Sequence, residues 1–469
     1  MNHKFPFALF LCAAVLIHMA ACSRGVKQEQ PGQQFTHFTP GQVISRVICI
    51  NDSTISYALF LPKNYDPSRR YPLIISFDSH AAGILPVDLF SAEAERNGYI
   101  IAGSNNSKNG VDWNITYAQY EVMHRDILQR LSIDTNCIYT AGFSGGSRVA
   151  ASVAIFTGGI SGVIGCSAGF PQIDKPLTPK FSYLGVVGNA DFNFSEMKAL
   201  DKVLAGAGFF HHLLLFDGIH AWPPASLIPS IFTWLELDAM RRKMKPADAN
   251  YITRIKENYK QETDSLRHKH DIVGAYLKCL EALQFMNGLT DVTSFSVQAT
   301  QLSNTVEVKK QAEEDDRLAR KETQLQQYYA AAMGPQSEEW WRVEVKHLNG
   351  SADKNTTKAE RTMYKRVLSY LSLAAYMNVS GALKAGDREK AGYFIRVYAV
   401  VDPTNAEAPY LDAGLFAALG KDAEAIRSLN KAVDFGFTDM KRIENDPAFA
   451  NLKGKPEYEA IISRIRDKN

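Results

Sequence analysis

The sequence lacks a strong excess of charge of either sign. Its 469 residues contain 52 Lys and Arg against 50 Asp and Glu, so the formal net charge is +2. Surfaces that bind nucleic acid need many Lys and Arg to neutralise phosphates, and this balance therefore argues against a nucleic-acid partner. The sequence also lacks a phosphate-binding loop and a clustered set of metal ligands. We therefore expect neither a metal nor a cofactor.

The apolar run at the start of the chain, residues 5–19, is too short to span a bilayer as a stable anchor. It follows Lys4 and ends at Ala20-Ala21-Cys22, which is typical of a secretory signal peptide over residues 1–21. Small residues followed directly by cysteine resemble a bacterial lipoprotein box. This pattern predicts lipidation of Cys22 and a membrane-anchored protein on the periplasmic or cell-surface side. Plain secretion with a chance cysteine is the alternative.

Cysteine is scarce, with six residues in the whole chain. Cys12 would leave with the signal peptide. An exported location permits disulfides, but the wide spacing of the other cysteines resembles no disulfide framework. We therefore expect buried free thiols at Cys49, Cys137, Cys166 and Cys279.

The length of the chain predicts more than one domain. With 46% hydrophobic and 22% charged residues, the composition is typical of a globular protein with a sizeable core. Residues 22–41 are polar and predict a tether. Strand and helix signals alternate over residues 42–243, and the strand signals then stop. We expect a helical region over 244–369 and helical repeats over 370–469.

The alternating part begins with two β-prone runs around turn residues 51–53, which predict a hairpin. Short apolar runs then alternate with helical patterns. This order predicts an α/β fold, with a mostly parallel sheet and helices on both faces. Ligands of such sheets bind beyond the carboxyl ends of the strands. The expected strands are 43–50, 55–61, 72–77, 99–102, 137–141, 162–166, 183–187 and 212–216, and the expected helices are 87–97, 117–131, 145–155 and 197–205.

Ser144 lies in Gly142-Phe143-Ser144-Gly145-Gly146, between an expected strand and an expected helix. This context turns a Gly-x-Ser-x-Gly match into a nucleophile elbow. The turn forces the serine into strained backbone angles, and glycines leave room for the neighbouring strand and helix. A serine hydroxyl also needs a base within hydrogen-bond reach and a third group that orients the base.

Asp191 and His220 each follow an expected strand downstream of Ser144. The order Ser, Asp, His is that of an α/β-hydrolase catalytic triad, and we predict that these three residues form one. Asp217 is a rival acid, but it lies only three residues before His220, which favours a turn or supporting role. Asp191 could likewise be a turn residue. The histidines that we expect to have structural roles are His124, His211 and His212.

Together these motifs resemble the α/β-hydrolase superfamily over about residues 43–240, and most of all its secreted esterases, which are polyhydroxybutyrate depolymerase-like and feruloyl-esterase-like. The resemblance implies a serine hydrolase that cleaves carboxylic esters, including acyl or feruloyl esters on carbohydrates. It also implies an oxyanion hole made of backbone N–H groups. Gly145 would supply one donor. Many relatives carry His-Gly-Gly-Gly in the facing loop, whereas this chain has Asp78-Ser79, so the N–H of His80 is the first candidate and that of Ser79 the second.

The last hundred residues contain a weak repeat. Ala391 and Ala425 lie 34 residues apart, each in an expected helix that follows a turn. This period resembles tetratricopeptide repeats, which offer a concave face to a protein or peptide partner. A non-repeating bundle that packs on the hydrolase region is the alternative. We interpret the charged stretch 309–322 as a solvated helix face and residues 349–357 as a polar break.

Several assignments stay open at this stage. A serine peptidase of the same fold is one alternative function. A non-catalytic binding lipoprotein that acts through the helical half is another. The polar loop 105–110 suits either a substrate-facing role or a surface turn, and Phe143 and Trp222 suit either pocket walls or core packing.

Overall fold

The computed structural model describes residues 38–174, 176–353 and 356–467. The predicted signal peptide, Cys22 and all but the last four residues of the predicted tether lie outside this part of the chain. Within it, no helix combines the length and apolarity needed to cross a bilayer. The four cysteines that it contains are free and buried.

A single eight-stranded sheet organises the first half of the chain, in the order β1-β2-β4-β3-β5-β6-β7-β8. The expected hairpin is present, with β1 antiparallel to β2, and β2 also pairs antiparallel with β4. All other neighbours are parallel. The strands are Val43–Ile48 (β1), Ser56–Phe60 (β2), Tyr71–Phe77 (β3), Ile100–Ser104 (β4), Ile133–Phe143 (β5), Gly162–Cys166 (β6), Ser182–Gly188 (β7) and His211–Phe216 (β8).

Five helices cover the two faces of this sheet, which confirms the expected fold class. Successive strand residues point to opposite faces. Leu73 and Ile75 therefore pack in the cluster with α2, α3 and α4, while Ile74 packs in the cluster with α1 and α5. Burying each such side chain stabilises the fold by about 1.5–3 kcal/mol. The helices are Ile84–Asn97 (α1), Trp113–Arg130 (α2), Gly145–Phe156 (α3), Phe194–Gly206 (α4) and Ile228–Arg241 (α5).

Helix ends differ from the expected ones where capping residues were overlooked. Helix α2 begins four residues early, because Asp112 caps it by accepting a hydrogen bond from the N–H of Asn114. Helix α4 extends through Gly206, one residue beyond its expected end at 205. The left-handed residue that reverses the chain is Gly208, with φ of 74°.

Eleven helices follow the sheet region within the described part of the chain. They are Ala249–His268 (α6), Ile272–Met286 (α7), Thr293–Ser303 (α8), Val306–Ala332 (α9), Glu338–Asp353 (α10), Lys358–Lys384 (α11), Arg388–Val401 (α12), Glu407–Ala418 (α13), Asp422–Asp434 (α14), Met440–Asn445 (α15) and Pro456–Arg466 (α16). The helical C-terminal region is thus present. Residues 349–353 belong to α10, so the expected polar break does not begin at 349.

The apolar core of the sheet continues into the first of these helices. Tyr259 of α6, Phe285 of α7 and Phe295 of α8 are buried in the same cluster as α1 and α5. Helices α9 to α16 contribute instead to two further apolar clusters. The physical core of the sheet region therefore extends to about residue 302.

The helix pairs α11–α12 and α13–α14 share the predicted 34-residue spacing. Their turns contain Gly386 and Gly420, with φ of 72° and 71°, and Ala391 and Ala425 are fully buried after them. Small residues at these positions let the paired helices approach closely. The assignment to tetratricopeptide repeats, and the protein partner that it implies, stay predictions.

We expected the charged stretch 309–322 to be a solvated helix face, and this prediction was wrong at Leu318 and Glu322. The whole stretch lies in α9. Leu318 and Glu322 are buried, with exposed fractions of 4% and 1%. A charged residue that is so completely buried needs a partner of opposite charge.

Candidate active site

Ser144 lies on the tight turn between β5 and α3. Its backbone has φ of 54° and ψ of −122°, a strained conformation for any residue with a side chain. The turn is held because the N–H of Ser144 donates to the carbonyl of Cys166 at 2.9 Å. A Cβ on Gly146 would lie 2.1 Å from the carbonyl oxygen of Phe77, so only glycine lets α3 pack this closely on β3.

A continuous chain of hydrogen bonds joins the three residues predicted from the sequence. The Nε2 of His220 lies 3.0 Å from the Oγ of Ser144. Its Nδ1 lies 2.9 and 3.0 Å from the two carboxylate oxygens of Asp191. Because an ionised carboxylate can only accept, Nδ1 carries the proton and Nε2 is free to accept the proton of Ser144. The strands β5, β7 and β8 are parallel, so the residues that follow them meet at one edge of the sheet.

Asp191 is fully buried and held by the loop that carries it. Besides His220, its carboxylate accepts a hydrogen bond of 2.8 Å from the N–H of Asn193. The side chain of Asn193 in turn donates to the carbonyl of Ser167 at 2.7 Å. These contacts fix the carboxylate against the imidazole edge.

Two phenylalanine rings flank the imidazole of His220. Phe192 stacks on it with ring centres 4.1 Å apart, and Phe143 lies 4.8 Å away. The two rings restrict the orientation of the imidazole, whose side chain remains 20% exposed. Phe143 was expected near the site, whereas Phe192 was not, and its only signal in the sequence is its place directly after Asp191.

Asp217 lies apart from this hydrogen-bond chain. Its side chain is 75% exposed and accepts hydrogen bonds from the Nδ2 of Asn189 at 3.0 Å and the Nζ of Lys358 at 3.2 Å. The hydrogen bond from Asn189, followed by that from Lys358, lowers the pKa of Asp217. The supporting role expected for this residue agrees with these contacts.

The loop after β3 faces the elbow. Within the described residues, the backbone N–H groups of Gly145 and Ser79 have no acceptor, whereas the N–H of His80 donates to the Oδ1 of Asp78 at 2.8 Å. The other carboxylate oxygen of Asp78 accepts from the Nε1 of Trp222 at 2.9 Å. Trp222 follows His220 by two residues, so Asp78 connects the loop after β3 to the loop that carries His220.

The hydrogen bonds around Asp78 shift the pKa values of both Asp78 and His80. Burial acts to raise the pKa of Asp78, but the hydrogen bonds from His80 and Trp222 outweigh it and lower the pKa. The Asp78 carboxylate raises the pKa of His80, against the opposing effect of burial, and the carboxylates of Asp439 and Glu407 act in the same direction. Asp439 and Glu407 both belong to the C-terminal helical region.

The polar loop 105–110 has two different parts. Asn106 holds the β-hairpin, since its side chain accepts from the N–H of Ser56 and donates to the carbonyl of Thr54, both at 2.9 Å. Asn109 instead borders the site. Its N–H donates to the carbonyl of Ser79 at 2.9 Å, and a Cβ on Gly145 would lie 1.7 Å from its Oδ1. Asn109 therefore contacts the backbone of Ser79 and closely approaches Gly145.

A buried ion pair from the helical region reaches the loop that carries Asp191. The guanidinium of Arg366, on α11, forms three contacts of 2.5–3.0 Å with the carboxylate of Glu322, on α9. Its remaining nitrogen donates to the carbonyl of Asn189 at 2.7 Å, and it lies 4.5 Å from the ring centre of Phe194. No motif in the sequence predicted Arg366 near the site.

The remaining histidines have structural surroundings. His124 stacks on Tyr120 at 5.3 Å, and His212 packs edge-on against Phe285. Burial lowers the pKa of both. The Nε2 of His211 lies 3.3 Å from a carboxylate oxygen of Asp201. In the described residues, no group of three or more His, Cys, Asp or Glu side chains could hold a metal ion.

No protein-family model matches the sequence, and no curated protein matches it significantly. Similar solved structures include an esterase from Pyrobaculum calidifontis, with 13% identity and a TM-score of 0.34 over 43% of this chain and 85% of that one. The feruloyl esterase module of Clostridium thermocellum has 13% identity and a TM-score of 0.34 over 40% and 86%. S-formylglutathione hydrolase from Staphylococcus aureus has 13% and 0.34 over 41% and 96%. At these values, the activity of this chain has to be argued from its own residues.

Proposed function

We propose that this protein is a serine hydrolase that cleaves carboxylic esters through an acyl-enzyme. The observation that carries the proposal is the hydrogen-bond chain from Ser144 through His220 to the buried Asp191. A nucleophile on a strained elbow, a base within reach and a buried acid on the far side of that base are the three parts that this chemistry requires.

In the first step, the Oγ of Ser144 attacks the ester carbonyl carbon and its proton passes to the Nε2 of His220. The imidazolium that forms is stabilised by Asp191, which remains ionised. The tetrahedral intermediate then collapses. The bond to the leaving oxygen breaks, and His220 returns the proton to that oxygen. In the second step, His220 takes a proton from water and the hydroxide oxygen attacks the acyl carbon. The bond between the acyl carbon and the Oγ of Ser144 then breaks, His220 returns the proton to that Oγ, and the carboxylic acid is released.

The oxyanion of each intermediate needs two N–H donors. We assign the first to Gly145, at the start of α3, where the helix dipole also favours negative charge. We assign the second to Ser79, because its N–H has no acceptor in the described part of the chain, with His80 as the alternative. For His80 to serve, its N–H would have to leave the carboxylate of Asp78.

Labelling with a fluorophosphonate probe tests this proposal. We expect rapid labelling of the wild-type protein and none of Ser144→Ala, with rapid cleavage of short acyl esters. Labelling that persists in Ser144→Ala, or no labelling of either protein, would exclude the mechanism. Cleavage of peptides without cleavage of esters would identify a serine peptidase of the same fold.

We also propose that the protein is exported and anchored through a lipid on Cys22. The support is the sequence pattern of residues 4–22, which lies outside the described residues. Metabolic labelling with an alkynyl fatty acid should mark the wild-type protein and fail to mark Cys22→Ala. No labelling of either protein would leave plain secretion as the explanation, and equal labelling of both would place the lipid on another residue.

A further inference from the structure

Ser167, directly after β6, has a strained backbone although it belongs to no catalytic motif. Its φ is 59°, in the left-handed region that residues with a side chain rarely adopt, and the residue is fully buried. Such strain persists only where surrounding contacts impose it, and it is concentrated at functional sites. Glycine would adopt this conformation without strain. A serine at this position therefore indicates a role for its hydroxyl group.

The hydroxyl of Ser167 holds the chain next to the base. Its Oγ donates a hydrogen bond to the carbonyl of Ala221 at 3.2 Å, and Ala221 directly follows His220. Within the described part of the chain, the backbone groups of residues 219–223 form no other hydrogen bond. Ser167 is therefore the residue whose hydrogen bond fixes the main chain directly after the base.

The backbone of Ser167 is connected to the acid. Its carbonyl accepts from the Nδ2 of Asn193 at 2.7 Å, and the N–H of Asn193 donates to the carboxylate of Asp191 at 2.8 Å. Its own N–H donates at 2.8 Å to the carbonyl of Val186, in the strand that leads to Asp191. Asn193 thus bridges Ser167 and the acid, with one hydrogen bond on each side.

The two neighbours of this serine in the chain contact the elements that carry the nucleophile. The carbonyl of Cys166 accepts from the N–H of Ser144 at 2.9 Å. The carbonyl of Ala168 accepts from the Oγ of Ser147, in the first turn of α3, at 2.6 Å. Residues 166–168 thus have hydrogen bonds to the chain at or beside the nucleophile, the acid and the base, although none of the three belongs to the triad.

We propose that Ser167 is a positioning residue for the catalytic triad, and that its hydroxyl holds the loop of His220 at the correct distance from Ser144. This inference rests on the proposed function and adds a residue that no motif predicted. Proton transfer requires the Nε2 of His220 within hydrogen-bond reach of the Oγ of Ser144. Because these two residues lie on different loops, a displacement of the loop of His220 lengthens that contact and slows the chemical step.

Two substitutions separate the hydroxyl from the strain. Ser167→Ala removes the hydroxyl and keeps the strained backbone, whereas Ser167→Gly removes both. We expect both variants to lower kcat about tenfold, which is the most that the net contribution of one hydrogen bond accounts for, with KM little changed. The rate of labelling by a fluorophosphonate probe should fall to the same extent. The Tm of Ser167→Gly should nevertheless exceed that of Ser167→Ala by about 2–4 °C, because glycine is unstrained there.

Ser161, at the other end of β6, provides a matched control. It directly precedes this strand, is also buried, and donates from its Oγ to the carbonyl of Asn136 at 2.6 Å. This contact lies at the edge of the sheet opposite the triad. Ser161→Ala therefore removes a comparable hydrogen bond and should lower the Tm while kcat keeps its wild-type value.

Steady-state kinetics with one short acyl ester and thermal unfolding compare the wild-type protein with the three variants. A wild-type kcat in Ser167→Ala, a recovery of kcat in Ser167→Gly, or an equal fall of kcat in Ser161→Ala would overturn the inference while leaving the esterase intact. Wild-type protein that neither cleaves the ester nor reacts with the probe would overturn the proposed function and this inference with it.

Discussion

The sheet region and the helical region contribute to the site in different ways. The sheet region presents Ser144, Asp191 and His220, each within four residues of the end of a parallel strand. The helical region supplies support from a distance. Arg366, which is paired with Glu322, contacts the carbonyl of Asn189 across 177 residues of sequence. The proposed catalytic residues can thus be recognised from local sequence motifs, whereas the residues that support them are brought close only by tertiary contacts.

The first way to sharpen this comparison is to separate the two candidate acids. Asp191→Asn should lower kcat for a neutral ester by about 10³–10⁴-fold. A neutral amide does not stabilise the imidazolium as a carboxylate does, and its NH₂ group can favour the wrong tautomer of the imidazole. Asp217→Asn is the matched control and should change the same kcat less than tenfold. Steady-state kinetics with one ester measures both. Similar losses in the two variants would contradict the assignment of Asp191 as the acid.

The second prediction concerns the ion pair of Arg366 and Glu322, through which the helical region contacts the loop of Asp191. Arg366→Met leaves Glu322 buried without a partner of opposite charge, and we expect the free energy of unfolding to fall by about 3–5 kcal/mol. Glu322→Gln/Arg366→Met removes both charges and should recover most of that stability. Urea unfolding followed by circular dichroism measures the difference between the two variants.

The same double variant also tests whether Arg366 is a positioning residue for the acid loop. It still lacks the hydrogen bond to the carbonyl of Asn189. We therefore expect kcat to fall about tenfold with KM little changed, because a displaced Asp191 affects the transition state more than ground-state binding. A stable double variant with wild-type kcat would show that the contact serves stability alone.

The third prediction concerns where the core of the sheet region ends. Phe285 of α7 is fully buried in the cluster of the sheet, and Phe285→Ala should cost about 3–5 kcal/mol. Leu277 lies on the same helix but is 54% exposed, so Leu277→Ala should change stability by less than about 0.5 kcal/mol. Thermal unfolding of both variants gives the comparison. Equal effects would mean that α7 does not belong to this core.

The smallest expected effect is at the elbow itself. Ser144 has φ of 54°, a conformation that glycine adopts without strain. Ser144→Gly should therefore be more stable than Ser144→Ala by about 1 kcal/mol, although neither can form an acyl-enzyme. Differential scanning calorimetry of the two variants checks this order. Alanine as stable as glycine would show that the turn holds no strain.

Much of the sheet region could be predicted because its signals are local. Continuous apolar runs marked the buried strands, and Asp191 and His220 stood directly after two of them. Helix ends were predicted less well. Helix α2 depends on the cap at Asp112, and a single capping hydrogen bond leaves only a weak trace in sequence.

The support from the helical region could not be predicted for a physical reason. Glu322 lies in a charged stretch, and charged helix residues are usually exposed. Its burial depends on Arg366, 44 residues away, and on how α9 packs against α11. Phe192 was overlooked for a similar reason, since its stacking on His220 exists only once two loops meet. Contacts of this kind follow from the assembled fold.

The central claim is that Ser144 becomes acylated during turnover. Intact-protein mass spectrometry of samples quenched during hydrolysis of an activated acetyl ester tests it most directly. We predict an added acetyl group that peptide mapping assigns to Ser144 and that is absent from Ser144→Ala. Turnover without any adduct, or an adduct on another residue that persists in Ser144→Ala, would contradict the mechanism.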